Sequence, residues 1–258
     1  MAALIGWAAR KAGALSRSGA WAAALTGGLI FGLGGLPWAV LLLTFFVSSS
    51  ALSRLFSRHK HGLNEKFSKG SQRDWGQVFA NGGLGTLLVL TQSLLPGQEW
   101  PWIAFVGAMA AVNADTWATE LGVLSRGLPR LITSGRPVER GTSGGISLPG
   151  TLASLGGAAL IGLSSILFSP QASLPALLAA AVVGGLVGSL FDSLLGATVQ
   201  AIYCCPTCDK ETERHPFHTC GTQTIQVRGW DWLNNDAVNF ACSLAGALTG
   251  LGVWQVLV

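Results

Sequence analysis

Apolar residues occur in long, almost uncharged blocks, and most of the charged residues fall in the intervals between them. An α-helix needs about 20 apolar residues to cross the hydrocarbon core of a bilayer. Blocks of that order predict spans at Ala20–Gly35, Pro37–Leu55, Trp75–Leu95, Pro101–Leu124, Ile146–Phe168, Leu174–Ile202 and Asp236–Val258. Only the turn Gly34–Gly35–Leu36–Pro37 separates the first two. The first block is short and glycine-rich, so six helices plus a re-entrant piece is the alternative to seven. Met1–Ala9 fits an interfacial helix; Arg10 and Lys11 follow it, the reverse of a cleaved signal. The expected fold is an all-α, polytopic membrane helix bundle of about seven transmembrane helices. Residues 1–258 form one membrane domain, with a polar cysteine-rich loop at 203–235 before the last helix.

Composition agrees with the pattern. The chain is 50% hydrophobic and 11% charged, against about 25% charged in soluble domains. A net charge of +4 raises nucleic acid as a partner, but the placement of the charges points to a membrane instead. With the N-terminus inside, all sixteen Lys and Arg fall on one side of the predicted bundle. The turn at 93–101 on the other side carries only Glu99. The positive-inside rule then predicts N-terminus in, C-terminus out and a cytoplasmic basic face in the cell membrane. Small-residue pairs Gly28/Gly32, Gly184/Gly188 and Gly246/Gly250 suit close helix packing. They serve a homo-oligomer equally well. No internal repeat is visible, which weakens an inverted-repeat transporter.

Ionisable residues within spans are expensive and mark functional sites. Asp115 and Glu120 in the fourth span and Asp192 in the sixth lie in the halves nearer the basic side. Asn81, Asp236 and Asn239 lie at similar depth. Helical spacing puts Asn113, Thr116 and Glu120 on one face of the fourth span. Asp115 stands roughly 140° from Glu120, so one ion touching both needs a partner helix between them or local unwinding. The competing reading is that the acids pair with inward-reaching Arg or Lys.

Gly141–Thr142–Ser143–Gly144–Gly145 opens the fifth span just after four arginines. Glycines admit close approach, hydroxyls donate, and a helix N-terminus presents free N–H groups, which together suit a phosphate. A capped helix start is the bland alternative, and no Walker ending is present. Carboxylates for Mg²⁺ beside a basic glycine loop at a membrane interface suit phosphoryl transfer, which rests on positioning and electrostatics.

Four of the five cysteines cluster between Cys204 and Cys220. Cys205-x2-Cys208, then His218-x-Cys220, has the spacing of a closed, structural zinc knuckle. His215 rivals His218, and Cys204 rivals Cys205; a redox dithiol is the less favoured reading.

Gln77–Gly83, Asp115–Gly122, Gly141–Gly145, Asp192–Ala197 and Asn234–Phe240 together resemble, in order, the transmembrane protein 19 family, which includes the phytyl-phosphate kinases of tocopherol synthesis. The cysteine knuckle looks like the version carried by many bacterial members. The resemblance implies transfer of a phosphoryl group from a nucleoside triphosphate, CTP in related lipid kinases, to an isoprenyl monophosphate. On that reading Asp115, Glu120 and Asp192 bind Mg²⁺, and Thr142, Ser143, Gly144 and Gly145 cradle phosphates. Lys69, Arg73 and Arg140 neutralise charge, while Asn81, Asn235, Asp236 and Asn239 orient donor or substrate. The rival readings are a CTP-dependent lipid nucleotidyltransferase and a transporter or channel.

Overall fold

The computed structural model describes residues 2–56, 65–67, 72–169 and 174–258. Among these residues the helices are α1 (Ala2–Lys11), α2 (Arg17–Leu55), α3 (Trp75–Leu94) and α4 (Trp100–Gly122). A two-stranded ribbon follows, β1 (Arg130–Leu131) with β2 (Gly145–Ile146), then α5 (Leu148–Ile166) and α6 (Leu174–Thr198). Strands β3 (Ile202–Cys205), β4 (Lys210–Thr212) and β5 (Ile225–Arg228) precede α7 (Asn235–Leu257). Among the described residues four helices, α2, α5, α6 and α7, are long and apolar enough to cross a membrane.

The 39 residues of α2 are not one straight rod. Gly35 takes φ 70° and ψ −157°, left-handed backbone that a side chain disfavours, and Pro37 follows it. The chain doubles back there. A Cβ on Gly27 would lie 3.9 Å from Leu42 Cδ2, whereas fifteen residues of continuous helix span about 22 Å. Both ends of the hairpin meet Arg73: Ser16 N–H donates to its carbonyl, and its guanidinium donates to Ser49 and Ser50. The first two apolar blocks are thus the two limbs of α2.

Helix α4 is the core element, with Ile103 to Ala114 continuously buried. Its neighbours approach through glycine. A Cβ on Gly246 would lie 2.4 Å from Ala111 Cβ, and one on Gly184 would lie 2.7 Å from the Gly246 carbonyl oxygen. Gly184/Gly188 and Gly246/Gly250 therefore pack within the chain. Gly28/Gly32 does not close a helix interface, since a Cβ on Gly32 meets nothing within 4 Å. Asn113, fully buried, braces three helices: it accepts from Ser48 Oγ on α2 (3.0 Å) and donates to the Gly157 carbonyl on α5 (2.8 Å).

The all-α expectation is corrected by the strands. In the cysteine-rich loop β3 runs antiparallel between β4 and β5. The apolar block read as Leu174–Ile202 overran α6 because Ile202 and Tyr203 are the buried start of β3. The block read from Ile146 likewise began too early. Ile146 belongs to β2, and Ser147 caps α5 by accepting from Gly150 N–H (3.2 Å).

Candidate active site

The segments between helices that carry the basic residues gather at one end of the bundle. Arg73 pairs with Ala14 and Ser16, and Glu213 N–H donates to the Lys66 carbonyl. Beneath them opens a cavity of about 600 Å³, inside the range that accepts small-molecule ligands, about 300–1,000 Å³. Its walls come from every helix except α1 and from the loops above.

Asp115, Glu120, Asp192, Arg73, Asn81, Arg140, Thr142, Ser143, Gly144, Gly145, Asn235 and Asn239 all line this cavity. Asp236, in the first turn of α7, is not part of the lining. Lys69 lies outside the described residues.

The three acids divide. Asp115 and Asp192 act electrostatically on one another across α4 and α6, and Glu213 acts on both. Ser189 Oγ lies 3.5 Å from Asp115 Oδ1, and one oxygen of Asp192 is buried with no hydrogen-bond partner among the described residues. Glu120 turns instead toward α2, where Ser53 Oγ donates to it at 2.6 Å, and its charge interacts with Arg73. Arg73 is locked in place by Ser49 (2.8 Å), Ser50 (3.1 Å) and the faces of Phe45 and Phe46. The separation of Asp115 from Glu120 around α4 is the geometric reason for two sectors rather than one. Asp115 and Asp192, oxygen donors with a buried unsatisfied atom between two helices, fit a hard divalent cation such as Mg²⁺.

The glycine loop is more structured than its sequence suggests. Thr142 N–H donates to Glu139 and Gly145 N–H to Thr142, so two of its amides are spent within the turn. It does not run straight into α5, because β2 and the capping Ser147 intervene. Gly144, at φ +83°, sits directly against the end of α6. Arg140 is exposed and donates to the Arg126 carbonyl at 3.1 Å.

Cys205, Cys208, His218 and Cys220 offer ligand atoms that all lie within 4.8 Å of one another, a set able to bind a metal such as zinc. The Nε2 of His218 is buried without a hydrogen-bond partner among the described residues. His215 is occupied elsewhere, stacked on Tyr203 at 4.5 Å. Strand alternation turns Cys204 to the opposite face from Cys205. A hydrogen bond to Cys220 pushes the Cys208 thiol up to about 11, while hydrogen bonds with Thr222 and His218 bring Cys220 down to about 5. A ready thiolate suits a metal ligand.

Several lining residues are not singled out in the sequence: Ser53, Ser189, Gln200, Glu213 and Arg214. Ser189 had a signal, since it lies one turn before Asp192 on the same helical face. Glu213 had none, because only the folded sheet brings it to the cavity.

A predominantly helical chain with several apolar helices and a polar, carboxylate-lined cavity at one end has the architecture of an integral membrane protein with an embedded site. The chain belongs to the integral membrane protein family DUF92, matching it over residues 1–247, and this is the transmembrane protein 19-like family of its sequence resemblance. It is 34% identical over 232 residues to Protein PGR of Arabidopsis thaliana, covering 81% of this chain and 79% of that one. An uncharacterised membrane protein of Methanocaldococcus jannaschii is 34% identical over 251 residues, covering 96% of this chain and 89% of its own length. Protein VTE6, chloroplastic, of Arabidopsis thaliana is 26% identical over 248 residues, 94% of this chain and 66% of that protein. No solved structure matches the chain.

Proposed function

We propose that the protein is a membrane-embedded isoprenyl-phosphate kinase. It transfers a phosphoryl group from CTP or another nucleoside triphosphate to an isoprenyl monophosphate, giving the diphosphate. One observation carries this reading: the cavity joins the Asp115–Asp192 carboxylate pair to the Gly141–Gly145 loop and to Arg73 and Arg140. Membership of a family that includes phytyl-phosphate kinases supports the choice of substrate class.

In this mechanism an oxygen of the acceptor monophosphate forms the new bond to the γ-phosphorus. The bond from that phosphorus to the β,γ-bridging oxygen breaks, and the nucleoside diphosphate leaves. The acceptor's second ionisation lies near pH 6, so the attacking oxygen needs no strong base. Asp115 and Asp192 would hold Mg²⁺, which when bound would neutralise charge at the phosphates. The glycine loop cradles phosphate oxygens, Arg140 lies at the rim to meet their charge, and Arg73 is held rigid by its serines. Asn81, Asn235 and Asn239 on α3 and α7 orient the donor or the lipid phosphate. Glu120 is assigned to holding Arg73 rather than the metal.

The reading includes a topology. The two limbs of α2 with α3 to α7 make seven crossings, N-terminus in and C-terminus out, with the cavity at the cytoplasmic leaflet. A prenyl tail then stays in lipid while its phosphate enters the cavity.

The test is incubation of purified protein with phytyl or geranylgeranyl monophosphate, Mg²⁺ and each triphosphate in turn. Lipid diphosphate with release of nucleoside diphosphate is expected. Pyrophosphate release assigns a nucleotidyltransferase instead, and ion flux in liposomes without turnover refutes both enzyme readings.

A further inference from the structure

We infer that Glu213, carried by the cysteine-rich sheet, is the positioning residue that fixes the phosphate loop, so that the metal of the cysteine cluster controls the geometry of the cavity. The inference rests on reading Gly141–Gly145 as the phosphate loop. Its physical part stands on contacts alone.

Glu213 lies directly after β4, inside the interval between Cys208 and His218 that a bound metal closes. One of its carboxylate oxygens accepts from Ser143 Oγ at 2.6 Å and from Gln200 Nε2 at 3.0 Å. Its own N–H donates to the Lys66 carbonyl at 2.8 Å. Ser143 is the middle residue of the glycine loop, and Gln200 is buried just beyond α6. Glu213 therefore ties the loop to the end of α6 from above, while Gly144 packs against Ala197 from the side. The same sheet grips α6 a second time, since Arg228 donates to the Gly196 carbonyl at 2.9 Å.

Two consequences follow. The Ser143 proton is committed to Glu213, so this hydroxyl anchors the loop and meets a ligand only as an acceptor. The strand that presents Glu213 is three residues long and belongs to a polar segment too small to build a core of its own, where a metal staple adds order. Four ligand atoms within 4.8 Å provide it once a metal binds. A cluster that looks purely structural in sequence thereby reaches the site through one carboxylate.

The experiment uses limited trypsin cleavage of the full-length zinc-loaded protein in detergent, read by mass spectrometry. The bond after exposed Arg140, at the edge of the loop, is compared with the bond after exposed Lys11, which makes no contact with the loop, as internal reference. Glu213→Ala and Ser143→Ala should each speed the cut at Arg140 about tenfold relative to Lys11, as expected for loss of a charge-assisted hydrogen bond. Glu213→Gln keeps an accepting oxygen but loses the charge, and should cut much closer to the wild-type rate than Glu213→Ala does. Stripping zinc with a chelator should reproduce Glu213→Ala. In turnover assays Glu213→Ala should raise KM for the triphosphate more than it lowers kcat, with rescue in Glu213→Gln. An unchanged Arg140 cut in Glu213→Ala and Ser143→Ala, or equal damage from Glu213→Gln, overturns the proposal. Unchanged cleavage in the zinc-stripped protein overturns the control by metal. Cleavage does not depend on turnover, so failure of the kinase reading is separable from failure of this one.

Discussion

Replacing Gly144 by alanine tests whether the glycine loop has a fixed geometry set by α6. The residue has φ +83°, and an added Cβ would lie 2.5 Å from both the Cβ and the backbone nitrogen of Ala197. Two costs add. Left-handed backbone costs a non-glycine residue about 1–2 kcal/mol, and overpacking a rigid contact costs about 1–3 kcal/mol. The total is about 2–5 kcal/mol, relieved only if the loop lifts off α6. Gly135 provides the control: it has φ +67° in the same inter-helix segment, but its added Cβ meets nothing within 4 Å. Gly135→Ala therefore carries the backbone cost alone. Unfolding of both variants in detergent should show the larger loss for Gly144→Ala, and KM for the triphosphate should rise about tenfold or more in that variant only. Equal stability losses, or an unchanged KM in Gly144→Ala, would refute the claim that packing against Ala197 shapes the site.

Asp115→Asn and Asp192→Asn should each abolish turnover while leaving the unfolding midpoint near wild type; retained activity removes that residue from the proposed metal pair. Glu120→Gln should instead lower the unfolding midpoint, because it removes a carboxylate that offsets the buried charge of Arg73; an unchanged midpoint removes Glu120 from that role. Metal analysis of purified protein should find one zinc per chain, lost in Cys208→Ser and kept in Cys204→Ser. Cysteine labelling in sealed vesicles of known orientation should reach exposed Cys220 in a metal-stripped sample only from the cytoplasmic side.

Much of the architecture was legible in the sequence because lipid imposes a simple requirement: blocks of uncharged residues become helices. The acids stood out for the same reason, being costly where they are. What the pattern missed was local. Ile146 and Ile202 read as helix because a buried strand end is as apolar as a span. The turn at Gly34–Pro37 is readable, and there Gly35 leaves helical backbone and divides α2 into two limbs. Asp115 and Glu120 were seen as two faces of one helix, but their partners, Ser189 and Ser53, come from distant elements. Glu213 depends on a sheet whose strands are three and four residues long, too short to give a periodic signal.

The enclosure of α4 bears on how the protein is made. Ribosomes deliver α4 before α5, α6 and α7, the three helices whose glycines and alanines complete its casing. Until α6 and α7 arrive, Asp115 sits in a helix that has only α2 and α3 beside it. The newborn chain must hold this carboxylate without its final neighbours. A truncation before α7 takes Gly246 from its seat on Ala111 and removes Asn235 and Asn239 from the cavity, so the site is complete only once α7 has emerged.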